Sequence, residues 1–338
     1  MRRQVFRFSE RESDEDLSGY LDRVLLRAPL SADDLPSLIC EDRDGRITGF
    51  LGVVPRSMTF RGAPLRVAVA TQLMVRPGAR GVIGQRLARA FMNGPQDLAL
   101  SDTANDAARL VWERVGGTNV RTHGLTWTRV VRPWRYAAAA RGRAIRALAR
   151  VARPALSALD RAAGGSWREP VPRGEIGLLD GQVMLAHFDE VAGARSLRPE
   201  YRADVLEWLL ARVREKRVFG DLHEVAVWSS PGVIAGWVLY FLRPGGVAQV
   251  AQIAARPGGG STGLVLDHLF HDAWRHGAIA VSGRLEPAMM PDLVARKCEF
   301  RREGPWMLVH ARDPEVMRAI ERGDAFLSRL EGEWWMSF

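Results

Sequence analysis

The chain has 338 residues, 47% of them hydrophobic and 26% charged, with a formal net charge of +9. At about 100–200 residues per domain this length predicts two domains, and the composition excludes a mostly disordered chain, a collagen-like chain and a disulfide scaffold. No stretch reaches the roughly 18–20 uninterrupted apolar residues of a membrane span. The first residues, Met1, Arg2, Arg3 and Gln4, lead into charged sequence rather than the apolar core of a secretory signal. The two cysteines, Cys40 and Cys298, fit no disulfide or metal spacing, so a cytoplasmic protein with reduced thiols is expected.

Three zones follow along the chain. Residues 1–128 alternate strand-like and helix-like patterns and read as a first domain. Residues 129–175 are rich in Arg and Ala and read as a helical linker. Residues 176–338 mix strands and helices again and read as a second domain. Nine arginines lie between Arg129 and Arg161 against one acid, Asp160, so that segment alone carries +8. The rest is nearly neutral, which argues against a nucleic-acid binder as a whole. In the linker, Ile145, Leu148, Val151, Ala152, Leu156 and Leu159 recur near the helical period, interrupted at Pro154. A connector helix with a solvated Arg face is the plain reading. Contact of 129–161 with an anionic membrane surface or an RNA backbone is the alternative.

The first and third zones resemble each other. Gly45-Arg-Ile-Thr-Gly49-Phe50-Leu51 is matched by Gly232-Val-Ile-Ala-Gly236-Trp237-Val238, each a turn followed by a strand. Ala68–Val75 is matched by Val247–Ala254, and Arg76-Pro77-Gly78 by Arg256-Pro257-Gly258. A glycine-bearing loop and a helix follow in both, over Gln85–Asn93 and Leu264–His276. Two copies of one α+β unit account for this order.

Local chemistry is densest from Val67 to Phe91. A strand runs into Arg76-Pro-Gly-Ala-Arg80-Gly81-Val82-Ile83-Gly84-Gln85, and a helix starts there. Glycines at such a turn present backbone amides, and the helix adds its positive end, a combination suited to phosphate. A short strand, Asp97–Ser101, then leads through Asp102 and Asn105 to Trp112 and Gly116.

With these residues in place, the chain over roughly 36–117 resembles the GCN5-related N-acetyltransferase family. That pattern runs strand, R-G-x-G-x-G loop, helix, strand, then N-x-x-A-x-x-x-Y-x-x-x-G-F. Asn105, Ala108 and Gly116 match. The loop Arg80-Gly81-Val82-Ile83-Gly84 is one residue and one glycine short, and Trp112 stands at the tyrosine position. An indole cannot serve as a general acid there. The resemblance implies an α+β fold of two tandem acyltransferase domains, the second degenerate. It implies acetyl-CoA or another acyl-CoA as co-substrate and no metal. Leu73, Met74 and Val75 would meet the pantetheine, Arg80, Gly81, Val82, Ile83, Gly84 and Gln85 the pyrophosphate, and Asn105 the acyl end. A small-molecule amine in a cleft between the copies would attack the thioester directly.

Asp102 and Glu286 end equivalent strands and are the candidate bases, each alternatively a turn or cap residue. Gln72 and Gln249, on the central strands, cannot take a proton. The polyglycine loop Gly258–Gly260 reads as a loop or a second phosphate site. His268 and His271, three apart, read as a helix surface rather than a metal pair. The C-terminal Leu330–Phe338, with Trp334 and Trp335, reads as a docked end, or else as a substrate wall. Two other functions stay open. One is an aminoacyl-tRNA-dependent transferase of the peptidoglycan-bridge type, favoured by the Arg-rich linker. The other is a non-catalytic binding protein, favoured by the missing tyrosine.

Overall fold

In the computed structural model, which describes residues 14–26, 29, 32–79, 81–140, 153–162, 169–302 and 305–336, the elements run in chain order as follows. The first part holds α1 (Asp14–Leu21), β1 (Leu38–Glu41), β2 (Ile47–Phe60), β3 (Ala63–Val75), α2 (Val82–Met92), β4 (Leu98–Ala104), α3 (Asp106–Arg114), β5 (Thr118–Asn119), β6 (Thr126–Val130), α4 (Pro133–Ala140) and α5 (Arg153–Ala162). Then come β7 (Glu175–Leu178), α6 (Gly181–Ala192), β8 (Leu197–Pro199), α7 (Ala203–Arg214), β9 (Asp221–Ser230), β10 (Val233–Leu242), β11 (Val247–Ala255), α8 (Ser261–Arg275), β12 (Ala280–Arg284), α9 (Met290–Ala295), β13 (Glu299–Arg301), β14 (Trp306–Ala311) and α10 (Pro314–Glu321).

They divide into two units. Unit 1 takes residues 1–124, 195–213 and 303–338, and unit 2 takes 125–194 and 214–302. Unit 1 holds a seven-stranded mixed sheet in the order β1-β2-β3-β4-β14-β5, with β8 on β2. Alternation along β2 and β3 on the far side of their bulge sorts these side chains to two faces. Leu51, Val53, Ala68 and Ala70 meet Leu87, Phe91 and Met92 of α2 and Trp112 of α3 in one core. Val54, Met58, Val67 and Val69, all at most 2% exposed, lie on the opposite face. Buried Leu206, Leu209 and Leu210 of α7 and the apolar tail residues Leu327, Leu330, Trp334 and Trp335 complete the apolar content of this unit.

Unit 2 repeats the plan in the order β13-β6-β12-β11-β10-β9-β7. Its core joins Val238, Tyr240, Val250 and Ile253 to Val265, Leu269 and Phe270 of α8. The two glycines matched in the sequence do matching work. A Cβ at Gly49 would sit 2.5 Å from Ile83 and 2.8 Å from Leu87, so its absence lets α2 lie close on β2. A Cβ at Gly236 would overlap the carbonyl oxygen of Ala254 and come within 2.9 Å of Val265 of α8.

The boundaries 1–128, 129–175 and 176–338 do not match this division. β6 forms a hydrogen-bonded ladder with β12 and β13, and β14 with β4 and β5. Each sheet therefore takes strands from the other half of the sequence, β6 in unit 2 and both β8 and β14 in unit 1. The reason is packing: Trp127 of β6 and Leu308 and Val309 of β14 are at most 1% exposed where they pair. Nothing local in the sequence encodes a partner so distant. The segment 195–213 likewise joins unit 1, through β8 on Met58–Phe60.

The Arg-rich zone is only partly a linker. Ile145, Leu148, Val151 and Ala152 lie outside the described residues. Around them, three of the nine arginines are already engaged within unit 2. Arg129 pairs with Glu169 at 2.9 Å, Arg135 pairs with Asp160 at 2.9 Å, and Arg132 donates to the carbonyls of Trp274 and Ala278. Leu159 is exposed. Among the described residues, no helix is long and apolar enough to cross a membrane.

Candidate active site

Strands β3 and β4 pair in parallel only over Val67–Val69 and Leu98–Leu100. Yet β3 runs on to Val75 and β4 to Ala104. The two strands therefore part in a V, and the β4-facing edge of β3 beyond Val69 has no ladder partner in β4. A bulge bends β3 at this point. Between the pairs Gly52–Thr71 and Phe50–Met74 it carries one residue more than β2, and Gln72 takes φ 51°. An extra residue of this kind kinks the strand and sharpens its twist. The Gln72 Oε1 atom is buried without a hydrogen-bond partner, the one kind of group a folded interior rarely leaves unmatched.

Met74 is buried, and Leu73 and Val75 are half-buried. Beyond Val75, the Arg76 N–H donates to the Thr48 carbonyl at 2.9 Å, and Gly81, at φ 99°, leads into α2. The first-turn amides of α2 have no partner within the helix, and the dipole's positive end adds to them. Val82 is exposed, Ile83 and Gln85 are half-buried, and Gly84 is buried against Val75 and Val111. Arg80 lies outside the described residues.

The apex of the V holds a residue the sequence reading passed over. Glu333, buried, accepts hydrogen bonds from the Ser101 hydroxyl and from the Thr103 N–H, the latter at 3.3 Å. The Thr71 side chain on β3 also bonds it. One carboxylate thus bridges the parted strands. Burial, and secondarily the charge of Asp102, pushes the Glu333 carboxyl up to about 7.

Asp102, at the end of its strand as expected, is buried. It accepts the backbone N–H groups of Glu333 at 2.6 Å and Trp334 at 3.2 Å, so it anchors the tail that carries Glu333. Next to it, Arg56 donates to the Leu330 carbonyl at 2.9 Å and lies over the Trp335 ring. Tyr201 and the Ser328 N–H bond Glu331. Burial raises the Glu331 carboxyl. A cavity of about 260 Å³ opens beside Arg56, Ser57, Arg66, Tyr201 and Glu331. The sequence clue was available: Glu331 and Glu333 interrupt an otherwise apolar stretch, Leu330–Met336, and charge inside such a stretch is buried only when it is bonded.

Other expected residues take different places. Asn105 is the exposed N-cap of α3, its side chain accepting the Ala108 N–H at 2.9 Å. Trp112, 2% exposed, packs on Phe91 with ring centroids 5.8 Å apart. Trp334 and Trp335 are docked, Trp335 edge-on to Trp208 at 5.3 Å. Phe338 lies outside the described residues.

Unit 2 repeats the geometry without the carboxylates. β11 gains one residue at Ala251 against β10, the position matching Gln72, and pairs with β12 only over Val247–Gln249. Here Trp127 lies against Gly283 and donates to the Arg284 carbonyl at 3.2 Å. Gly258, Gly259 and Gly260 all take positive φ before α8. Glu286, half-buried, precedes a single 3-10 turn, Pro287–Met289. His268 and His271 contact the carbonyls of Arg173 and Glu169.

A paired sheet with a bulged, parting strand and a helix after the gap is present twice, and its fold is shared with a GCN5-related N-acetyltransferase and other acyltransferases among solved structures. Among solved structures, a protein of unknown function from Enterococcus faecalis V583, titled a probable N-acyltransferase, matches 93% of this chain and 68% of its own, at TM-score 0.57 and 13% identity. A GCN5-related N-acetyltransferase from Anabaena variabilis ATCC 29413 matches 89% and 67%, at 0.55 and 8%. N-myristoyltransferase from Saccharomyces cerevisiae, with bound myristoyl-CoA, matches 94% and 87%, at 0.51 and 10%. At these identities the likeness is one of fold. Comparison with protein-family models and with curated protein sequences gave no match.

Proposed function

We propose that unit 1 transfers an acyl group from an acyl thioester of coenzyme A to a primary amine. The observation that carries this reading is the V between β3 and β4, bulged at Gln72 and leading into the amide-rich start of α2. The unpaired edge of β3 at Leu73–Val75 suits an extended amide-bearing chain, and the Gly81–Gln85 turn suits its pyrophosphate. The solved relative that holds myristoyl-CoA has the same fold, which supports an acyl-CoA donor without fixing the acyl length.

In this reading Glu333 is the base. A carboxyl near 7 is half-ionised at neutral pH, the condition for taking a proton from an amine as it attacks. The amine nitrogen bonds to the acyl carbon, the carbon–sulfur bond breaks, and one amine proton passes to Glu333. The leaving thiolate takes a proton from water and Glu333 returns its proton to solvent, so the products are the amide and the free thiol and the carboxylate is regenerated. An aminoacyl-tRNA donor draws its support from the Arg-rich zone, where Arg129, Arg132 and Arg135 are already engaged. The second reading is a binding protein without turnover, favoured by the burial of Glu333 and by the core position of Trp112.

Calorimetric titration with acetyl-CoA, longer acyl-CoAs and free CoA is the test, followed by thiol-release assays with a panel of amines. Binding of an acyl-CoA with thiol release that Glu333→Gln lowers at least tenfold supports the enzyme. Binding without release from any amine supports the second reading, and no binding of any CoA species sinks both.

A further inference from the structure

At the end of α8 remote from the glycine loop, three side chains of unit 2 meet that the acyl-transfer reading does not use. About 22 Å of helix separates this place from Gly258–Gly260, at 1.5 Å per residue. His223 on β9 is the cross-strand partner of Tyr240 on β10, and their rings stack at 4.6 Å, 7° from parallel. Asp272 lies in the last turn of α8 and His276 is its C-cap. The His223 and His276 rings are 4.5 Å apart. One ligand atom from each of His223, Asp272 and His276 lies within 4.8 Å of the other two.

The surroundings orient these groups as outer contacts orient metal ligands. The Tyr240 hydroxyl donates to Asp272 Oδ2 at 2.6 Å, and Asp272 Oδ1 lies 3.4 Å from His276 Nδ1. His276 Nδ1 lies 2.9 Å from the Asp272 carbonyl oxygen, a contact that holds the ring beside Asp272. The carbonyl end of α8 favours a cation at the same spot.

We propose that His223, Asp272 and His276 form a site for a divalent transition-metal ion of the zinc type. Two imidazoles and one carboxylate match zinc's ligand preference and leave a fourth position open, and they do not suit magnesium or calcium, which take oxygen donors. His276, whose side chain is 49% exposed, has the freedom to swing the remaining distance. His268 and His271 on the same helix, read from the sequence as a surface rather than a metal pair, contact backbone carbonyls instead. The partners come from a strand 49 positions earlier and from the helix's last turn, a grouping that only the fold creates.

The test uses full-length, tag-free protein stripped with a chelator. Zinc is titrated in competition with a chromophoric chelator, and thermal unfolding is followed with and without zinc, for wild type, His223→Ala and His276→Ala. The expected result is one zinc per wild-type chain, a raised Tm, and binding weakened at least roughly tenfold in both variants. Magnesium leaves the Tm unchanged. Because His276 is exposed, its replacement removes a ligand without opening the core, so cooperative unfolding of the zinc-free variant is the folding control. Failure of wild type to compete for zinc overturns the proposal, as does undiminished zinc binding by His276→Ala.

Discussion

The backbone N–H of Glu333 donates to Asp102 Oδ1 at 2.6 Å across 231 positions of sequence. This bond does two things. It fixes the C-terminal tail over the end of β4, and it turns the Glu333 side chain into the gap where β4 leaves β3. Three carboxylates of unit 1 are buried near one another here: Asp102 and Glu331 beside the Arg56 guanidinium, and Glu333 beside Asp102. Desolvation lowers the Arg56 pKa to about 10, with Glu331, Tyr201 and Asp102 opposing it.

The excess of buried acid makes unit 1 sensitive to pH in a defined direction. The Glu333 carboxyl rises from 4.5 to about 7 on folding, so between these values the folded chain holds a proton that the unfolded chain has lost. Stability is full below about 4.5 and falls as pH rises through about 7, by on the order of 3 kcal/mol. Glu331 is shifted the same way. Thermal or denaturant melts from pH 4.5 to 8 are expected to show this decline, and Glu333→Gln is expected to flatten part of it. A Glu333→Gln slope equal to that of wild type would mean that the carboxylate is ionised throughout the range.

Gly332 is buried, and a Cβ built there would overlap the Asp102 carboxylate. Gly332→Ala must therefore push the tail away from β4 or turn Asp102 out of its two backbone bonds. The expected cost is about 1–3 kcal/mol, the scale of overpacking in a closed interior, read as a lower denaturant midpoint. Donor binding at α2 is expected to persist, since that turn lies in another part of the unit. Thiol release is expected to fall with the displacement of Glu333.

Arg56→Met removes the cation beside Glu331 and Asp102 while keeping apolar bulk beside Trp335. Breaking a buried charge network from one side typically costs about 3–5 kcal/mol. Losing the bond to the Leu330 carbonyl adds to the loss. The variant is expected to be least stable above pH 7, where its acids ionise without a counter-charge. Adding Glu331→Gln is expected to restore part of the stability, and a double-mutant cycle measures the coupling.

The sequence was readable where the information is local. The strand–loop–helix from Val67 to Phe91 reads correctly because alternation, Gly81 and the start of α2 are neighbours in the chain. The repeat is confirmed in detail: the bulges at Gln72 and Ala251 and the close approaches at Gly49 and Gly236 fall at matched positions. What failed was long-range pairing. β6 and β14 sit in the sheet of the opposite half, and no propensity distinguishes their residues from those of any other buried strand. The same limit hid Glu333, whose partners Thr71, Ser101 and Asp102 lie more than 200 positions away. Asn105 is legible in another way: its position matches the family pattern, and its side chain closes the first turn of α3, as Asn does at N-caps generally.

Trp112 offers a direct test of how far the family pattern extends. The resemblance places a proton-donating tyrosine there, but the indole is 2% exposed, packed on Phe91 and within 2.9 Å of where a Cβ on Gly117 would lie. Trp112→Tyr would leave unfilled volume and bring a hydroxyl into an apolar cluster containing Phe91, Met92 and Leu308. The expected loss is about 1–3 kcal/mol, from a cavity and an unmatched polar group together. Thiol release at saturating acyl-CoA is expected to stay flat or fall. A rise in that rate, with the stability loss present, would instead show that the hydroxyl reaches the leaving sulfur and that the V extends down to α3.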